Sequence, residues 1–282
     1  MCLFPKLIKN PKYRANKKNK GNIPHMQDER VGFVPIGCGV CMECMKKKAN
    51  EWRVRLSEDI KEHKNGKFVT LTFSNESYTE LAKGIKAEGY ALDNAIATLA
   101  VRRFLERWRK KHKKSVRHWL ITELGQTNTE HLHLHGIIYT DNVQEIEDIW
   151  KYGWVWKGHM KNGQLINYVS EKTINYMVKY VTKTDILHKA YKPKILCSKG
   201  IGSGYMKTYN STKNGYKETG NTKTTYTNSK GFEQALPIYY RNKIYSDEER
   251  EKLWIQLLDK NERYVGGEKI PADNEEEYYN LV

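Results

Sequence analysis

The sequence predicts an α+β domain, an antiparallel sheet covered by helices on one face. Three observations predict it. Three short segments near 68–73, 116–124 and 131–139 read as strands, the first of them and the start of the third alternating in the period of a strand. Stretches with apolar residues at helical spacing lie before, between and after them. The second and third strands are joined by the turn-forming run Gly125-Gln126-Thr127-Asn128-Thr129, which predicts an antiparallel hairpin.

The elements follow in order. Residues 1–30 are polar and basic, with Lys6, Lys9, Lys12, Arg14, Lys17, Lys18 and Lys20, and are expected to form a partly ordered arm that contacts phosphate or solvent. Residues 46–63 place Ala49, Trp52, Leu56 and Ile60 on one helical face. Asn65-Gly66 turns the chain into the first strand. Residues 78–90 mix helix and turn signals. A long helix is expected from Ala95 to about Lys113, capped by Asp93 or Asn94. It buries Leu99, Phe104, Leu105 and Trp108 and ends in the basic run 107–114, either a solvated helix end or a phosphate contact. Further helices are expected at 143–150, 170–187 and 246–261, with a short strand at 154–156. Residues 198–231, rich in Gly, Ser, Thr, Asn, Lys and Tyr, predict a long, partly flexible excursion. The acidic run Asn274-Glu275-Glu276-Glu277 predicts a disordered tail. The expected organisation is therefore 1–64 (arm, cysteines, first helix), 65–197 (catalytic domain) and 198–282 (polar excursion, last helix, acidic tail).

Composition narrows the function. Among 282 residues, 49 Lys and Arg against 33 Asp and Glu give a formal charge of +16. A charge of that size favours a polyanionic partner. No apolar run reaches the ~20 residues of a membrane span. The opening Met1-Cys2-Leu3-Phe4-Pro5-Lys6 has no signal-peptide core, so an intracellular chain without a membrane partner is expected. Five cysteines, an odd number, argue against a secreted disulfide scaffold.

Three of those cysteines form Cys38-Gly-Val-Cys41-Met-Glu-Cys44. Two-residue gaps let a turning backbone aim successive thiolates at one ion, and Gly37 and Gly39 suit such a turn. Structural Zn2+ would take Cys2 as its fourth ligand, or His25 in its stead. An iron–sulfur cluster or three free thiols at a helix start are the other readings.

In His131-Leu-His133-Leu-His135-Gly136, strand period puts the three imidazoles on one face and the leucines on the other. Gly136 could leave space above such a site. Glu123, on the preceding strand, could join His133 and His135 through the hairpin. Two histidines and a carboxylate with open positions suit a catalytic divalent ion rather than a structural one. Without an ion the same pattern is only a polar sheet face.

Tyr176, Lys179, Tyr180 and Lys183 stand at i, i+3, i+4 and i+7, one helical face with the phenols about 6 Å apart along the axis. A nearby lysine favours phenolate and neutralises an attacked phosphate. Together with an ion the pair predicts attack of tyrosine on a phosphodiester, with a covalent phosphotyrosine and a departing 3′-hydroxyl. Taken alone, the helix is amphipathic with two half-buried tyrosines.

These blocks together resemble the replication initiators of the Microviridae, small single-stranded DNA phages, above all their gokushovirus branch, and are similar to the wider HUH endonuclease superfamily. Phe68-Val-Thr-Leu-Thr-Phe73 resembles the first motif, His133-Leu-His135 the metal motif with Glu123 as the upstream acid, and 176–183 the paired-tyrosine motif. The cysteine cluster leading into Asn50-Glu-Trp-Arg-Val-Arg55, the turn Gly200-Ile-Gly-Ser-Gly-Tyr205 and Pro237-Ile-Tyr-Tyr-Arg241 agree with the gokushovirus branch. His131 stands where many relatives carry arginine, and 210–231 is longer and more polar than in relatives.

The resemblance implies an HUH-like fold and a Mg2+- or Mn2+-dependent nicking and rejoining endonuclease of rolling-circle replication. It implies a 5′-phosphotyrosine intermediate, single-stranded DNA at a replication origin and the host replication machinery as partners, and the host bacterial cytoplasm as location. The competing readings are a non-enzymatic zinc-containing nucleic-acid-binding protein and a histidine-metal hydrolase that needs neither tyrosine.

Overall fold

The computed structural model describes residues 2–125, 130–182, 188, 190–265 and 268–281. In chain order the first elements are β1 (Lys6–Lys9), β2 (Phe33–Ile36), α1 (Met42–Glu62), β3 (Gly66–Thr72), α2 (Asn75–Ala82) and α3 (Gly89–His112). Next come β4 (Arg117–Leu124), β5 (Leu132–Tyr139), α4 (Gln144–Ile149), β6 (Val155–Trp156), β7 (His159–Lys161), β8 (Gln164–Ile166), α5 (Glu171–Thr182) and β9 (Ile195–Cys197). The last are α6 (Tyr209–Thr212), β10 (Thr225–Thr227), β11 (Glu233–Ala235), α7 (Ile238–Ile244), α8 (Asp247–Asp259), β12 (Glu262–Val265), β13 (Glu268–Pro271) and α9 (Glu275–Leu281). The chain divides into two compact units, Trp52–Tyr205 and a second one made of Met1–Glu51 with Met206–Val282.

The unit Trp52–Tyr205 is built on a five-stranded antiparallel sheet of order β6-β3-β5-β4-β9. The expected pairing of β4 with β5 is present, Glu123 opposite His133 and Ile121 opposite His135. On the other side of β5, Thr70 lies opposite His135 and Thr72 opposite His133. One sheet face carries Val69, Leu71, Leu120, Leu132, Leu134 and Ile138, all buried against α3, whose Ile96, Ala97, Ala100, Val101, Phe104 and Trp108 recur at helical spacing. α2 and α4 add Leu81, Ile146 and Ile149 to this core. Helices cover both faces, however, not one as expected. On the face of Trp119 and His135, Trp52 of α1 packs against Trp119 with ring centroids 5.7 Å apart, and Tyr180 of α5 stacks on His135.

Two further expectations are corrected here. α3 begins at Gly89, before the proposed caps, because Asp93 and Asn94 are engaged elsewhere. The Tyr78 hydroxyl donates to Asp93 Oδ1 at 2.7 Å, and Asn94 accepts from Thr122 Oγ1 at 2.9 Å. Gly136 falls on the opposite face from His135, so it leaves no space above the histidines. Its missing Cβ is required by the neighbouring strand, since a Cβ there would lie 2.0 Å from the Trp119 carbonyl oxygen.

α1 is tied to β4 and to the glycine turn by a buried ion pair. Arg117 Nε donates to Asp59 Oδ2 at 2.9 Å, Arg117 Nη2 reaches Asp59 Oδ1, and the Gly202 N–H donates to the same oxygen at 2.7 Å. Arg117 Nη2 also donates to the Gly200 carbonyl at 2.9 Å. Burial pushes the Asp59 carboxyl up, but Arg117 and the Gly202 N–H outweigh it and hold the group below its ordinary value.

In the second unit, β1 pairs with β2 and the arm is folded. Lys12 Nζ donates to Glu251 of α8 at 2.9 Å, and Lys18 pairs with Asp247. Two of the arm's cations are thereby matched by carboxylates. α8 starts with a capping box between Ser246 and Glu249. The excursion 198–231 contains α6 and β10, pinned by buried Asn214, whose Nδ2 donates to the Lys223 and Thr225 carbonyls at 2.7 and 2.9 Å. The acidic tail is helical rather than disordered. Asn274 Oδ1 accepts the Glu277 N–H at 3.0 Å, and three glutamates occupy the first turn of α9, where the helix dipole favours them. Among the described residues no helix is long and apolar enough to cross a membrane.

Candidate active site and candidate metal centre

Strand alternation builds the site within Trp52–Tyr205. Leu132 and Leu134 are buried in the core, which forces His133 and His135 onto the other face beside Glu123 of β4 and Thr70 of β3. His135 Nε2 lies 2.7 Å from Glu123 Oε2, and its Nδ1 lies 3.0 Å from Thr70 Oγ1. Thr70 is a site residue that the sequence reading missed. Its signal was the alternation of β3 itself, once the register with β5 is known. The His133 ring lies 6.0 Å from that of His135, nearly parallel. Burial, and then the neighbouring His135, hold His133 below its ordinary pKa, so it is a neutral imidazole.

α5 runs across this face. Ile174, Met177, Val178 and Val181 are buried, which turns Tyr176, Lys179 and Tyr180 away from the core side of the helix. The Tyr180 ring stacks on His135 with centroids 4.5 Å apart and planes 4° apart. Its hydroxyl donates to the Tyr176 oxygen at 2.8 Å. Burial, the hydrogen bond to Tyr176 and the Glu123 carboxylate all raise the Tyr180 pKa, so Tyr180 keeps its proton. Tyr176 is 49% exposed, and its ring lies 6.0 Å from Phe68 of β3. Lys179 is exposed on α5, and Lys183 and the predicted end of this helix at 187 lie outside the described residues.

Glu123, His133 and His135 therefore share one face, but their ligand atoms do not gather as closely as a ready cage would. Among the described residues the one group of metal-ligating side chains whose atoms all lie within 4.8 Å of one another is the cysteine cluster. The histidine face still fits an ion on other grounds. His133 Nδ1 is buried without a hydrogen-bond partner. The Glu123 carboxylate faces His135 Nε2 at 2.7 Å, an oxygen and a nitrogen donor of the kind a divalent ion takes. Thr70 can bond His135 Nδ1 as donor or acceptor, so it serves either state of the ring. His131 is exposed, one residue before β5, close enough to His133 to disfavour its charge.

The basic run at the end of α3 belongs to the helix on the opposite face of the sheet. Lys111 and His112 there lie 3.2 and 3.1 Å from the Glu145 carboxylate of α4.

The second unit holds the cysteines. Cys2, Cys38, Cys41 and Cys44 converge as the spacing predicts, and His25 is not among them. Cys2 Sγ lies 3.8 Å from Cys41 Sγ. The sulfurs accept backbone N–H groups, Cys38 and Phe4 donating to Cys2 at 3.2 and 3.3 Å and Cys41 donating to Cys38 at 3.3 Å. Gly39 takes a left-handed φ of +76°, which favours glycine, and a Cβ on Gly37 would lie 3.0 Å from Cys44 Sγ, so both glycines suit the turn. Backbone N–H groups and neighbouring thiols pull Cys41 down to about 6 against the effect of burial, while burial pushes Cys44 up to about 12. Four adjacent thiols do not all ionise without a cation. A group of this kind could bind a metal such as Zn2+, and its donor set is that of a closed structural site.

Residues 66–185 match the model of a protein family described as replication-associated protein ORF2. The match runs from β3 through α5 and includes Glu123, His133, His135, Tyr176 and Tyr180. No curated protein and no solved structure matches the chain.

Proposed function

We propose that the chain is a DNA-nicking and rejoining enzyme that starts rolling-circle replication through a 5′-phosphotyrosine, in the manner of the HUH endonucleases and the gokushovirus initiators it resembles. The observation that carries this reading is the unbroken contact from Tyr176 through Tyr180 and His135 to Glu123, with phenol oxygens 2.8 Å apart and a carboxylate 2.7 Å from the imidazole. The family match over the same residues supports it.

Tyr176 is the exposed phenol and its oxygen accepts the Tyr180 O–H, so in this reading it is the first to attack. Its oxygen attacks phosphorus, the P–O bond to the 3′ oxygen breaks, and the 3′ oxygen leaves and takes up a proton while the phenolic proton passes to solvent. The phosphodiester energy is retained in the Tyr176–phosphate bond, so rejoining needs no other energy source. Once its oxygen bridges to phosphorus, Tyr176 is a poorer acceptor, and Tyr180 is released for a second attack. Lys179, exposed on α5, supplies positive charge beside the tyrosines, and Lys183 is assigned the same role from the sequence spacing alone. Glu123, His133 and His135 would hold Mg2+ or Mn2+, which when bound polarises the scissile phosphate and offsets charge on its non-bridging oxygens. The partners in this reading are unpaired origin DNA and a host polymerase that extends the free 3′ end in the bacterial cytoplasm.

A denaturing gel of the protein with labelled single-stranded origin DNA tests this. A Mn2+-dependent protein–DNA adduct is expected, absent from the Tyr176→Phe/Tyr180→Phe double variant and from His133→Ala. Cut DNA without an adduct would replace this reading with a water-activating hydrolase, and intact but bound DNA with a non-enzymatic binding protein.

A further inference from the structure

Aromatic side chains gather at the β6 edge of the sheet in Trp52–Tyr205. Trp156 lies opposite Thr70 and so shares the face of His135. Its ring centroid is 5.5 Å from that of Phe68, which in turn packs against Tyr176. Trp154, two residues earlier, is 59% exposed although its backbone is firmly held. Its N–H donates to Thr72 Oγ1 at 2.8 Å, and its carbonyl accepts from Thr72 N at 2.9 Å. Gly153 permits this close approach, since a Cβ there would lie 2.5 Å from the Thr72 carbonyl oxygen. Farther along the same edge of β3, Asn167 bonds both backbone groups of Phe68, at 2.9 and 2.7 Å, and its chain neighbour Tyr168 is 69% exposed.

Large exposed rings on a backbone held to the sheet edge, in line with the half-buried Trp156 that packs toward Tyr176 through Phe68, have a use when a flat apolar ligand covers them. Unpaired nucleobases have that shape, and base faces within a duplex are already stacked. The net charge of +16 draws the phosphates that accompany such bases. We propose that Trp154, Trp156 and Tyr168 form a stacking platform for the unpaired bases that flank the scissile phosphate. The platform rests on the nicking reading for its place along the strand, but base stacking itself needs no chemistry.

The test is fluorescence anisotropy with labelled dT20 and with a duplex of equal length, without added divalent ion so that nothing is cut. Trp154→Ala and Tyr168→Ala are expected to weaken dT20 binding by about tenfold each. Trp154→Phe should recover most of the loss. The slope of log affinity against log salt should stay that of the wild type, because no phosphate contact is removed. Unchanged dT20 affinity in both alanine variants overturns the platform and leaves this edge to a protein partner. Equal losses on duplex and dT20, or a shallower salt slope, overturn it as well. A wild-type protein that binds dT20 through Trp154 yet never forms an adduct would remove the nicking reading and keep the platform.

Discussion

The two tyrosines are chemically alike in sequence and unlike in their surroundings. Tyr176 is half exposed and accepts a hydrogen bond, whereas Tyr180 is packed flat on His135 and donates it. Tyr176→Phe should therefore abolish the first adduct on a short oligonucleotide. Tyr180→Phe should only slow it, by roughly ten- to a hundredfold, the worth of one hydrogen bond to a charged oxygen. Single-turnover rates, with mass mapping of the modified peptide, check this, and equal rates in the two variants would refute the order. Asp59 makes a second residue-scale case. It is buried and bonded to Arg117 and Gly202, so Asp59→Asn should cost about 3–5 kcal/mol, read by denaturant unfolding. Its carboxyl is held below its ordinary value in the fold. The stability it adds is thus complete above the unfolded value of about 3.9 and is lost as pH falls through the lower folded value. The Asn variant should lack that part of the acid limb.

At the scale of elements, legibility followed burial. β3 alternates buried and half-buried side chains, and in β5 buried Leu132 and Leu134 alternate with His133 and His135, so this period was readable and with it the common face of the two histidines. β4 buries residues of both faces and was readable as an apolar run that carries Glu123 near its end. The contact between Glu123 and His135 was not readable, because it depends on a register that only the paired strands reveal. β1, β7, β9 and β10 are three or four residues long and bury at most one side chain each, so they carry no period strong enough to announce them. The start of α3 was misplaced because Asp93 and Asn94 have capping chemistry but spend it on Tyr78 and Thr122. Gly136 looked like part of the site and is instead what allows β4 and β5 to approach. Gly136→Ala should push a methyl group into the Trp119 carbonyl, separate the central strands and lower the melting temperature. Far-UV circular dichroism melts would show it, and an unchanged transition would contradict the required approach.

At the scale of the molecule, two chemistries lie in different parts of the chain. Every described residue of the tyrosine and histidine site belongs to Trp52–Tyr205, and all four clustered cysteines belong to the other unit. A closed set of four thiolates contributes to folding when it binds metal, whereas the proposed reading gives the open histidine and carboxylate face a part in the chemistry instead. The two should separate on mutation. Cys38→Ser should reduce bound zinc from about one equivalent to near none and lower the thermal stability of the unit that holds the cysteines. It should leave adduct formation on a short oligonucleotide within a fewfold of wild type, because no ligand or nucleophile of that reaction is touched. Metal analysis, thermal denaturation and the adduct assay on one preparation decide this together. Loss of the adduct with zinc still bound would mean that Cys38 serves the chemistry itself, while a variant that keeps its zinc and its stability would remove the structural site. The converse variant, His133→Ala, should keep zinc at the wild-type level and lose the adduct, since its imidazole shares the face of the tyrosine site and lies outside the cysteine cluster.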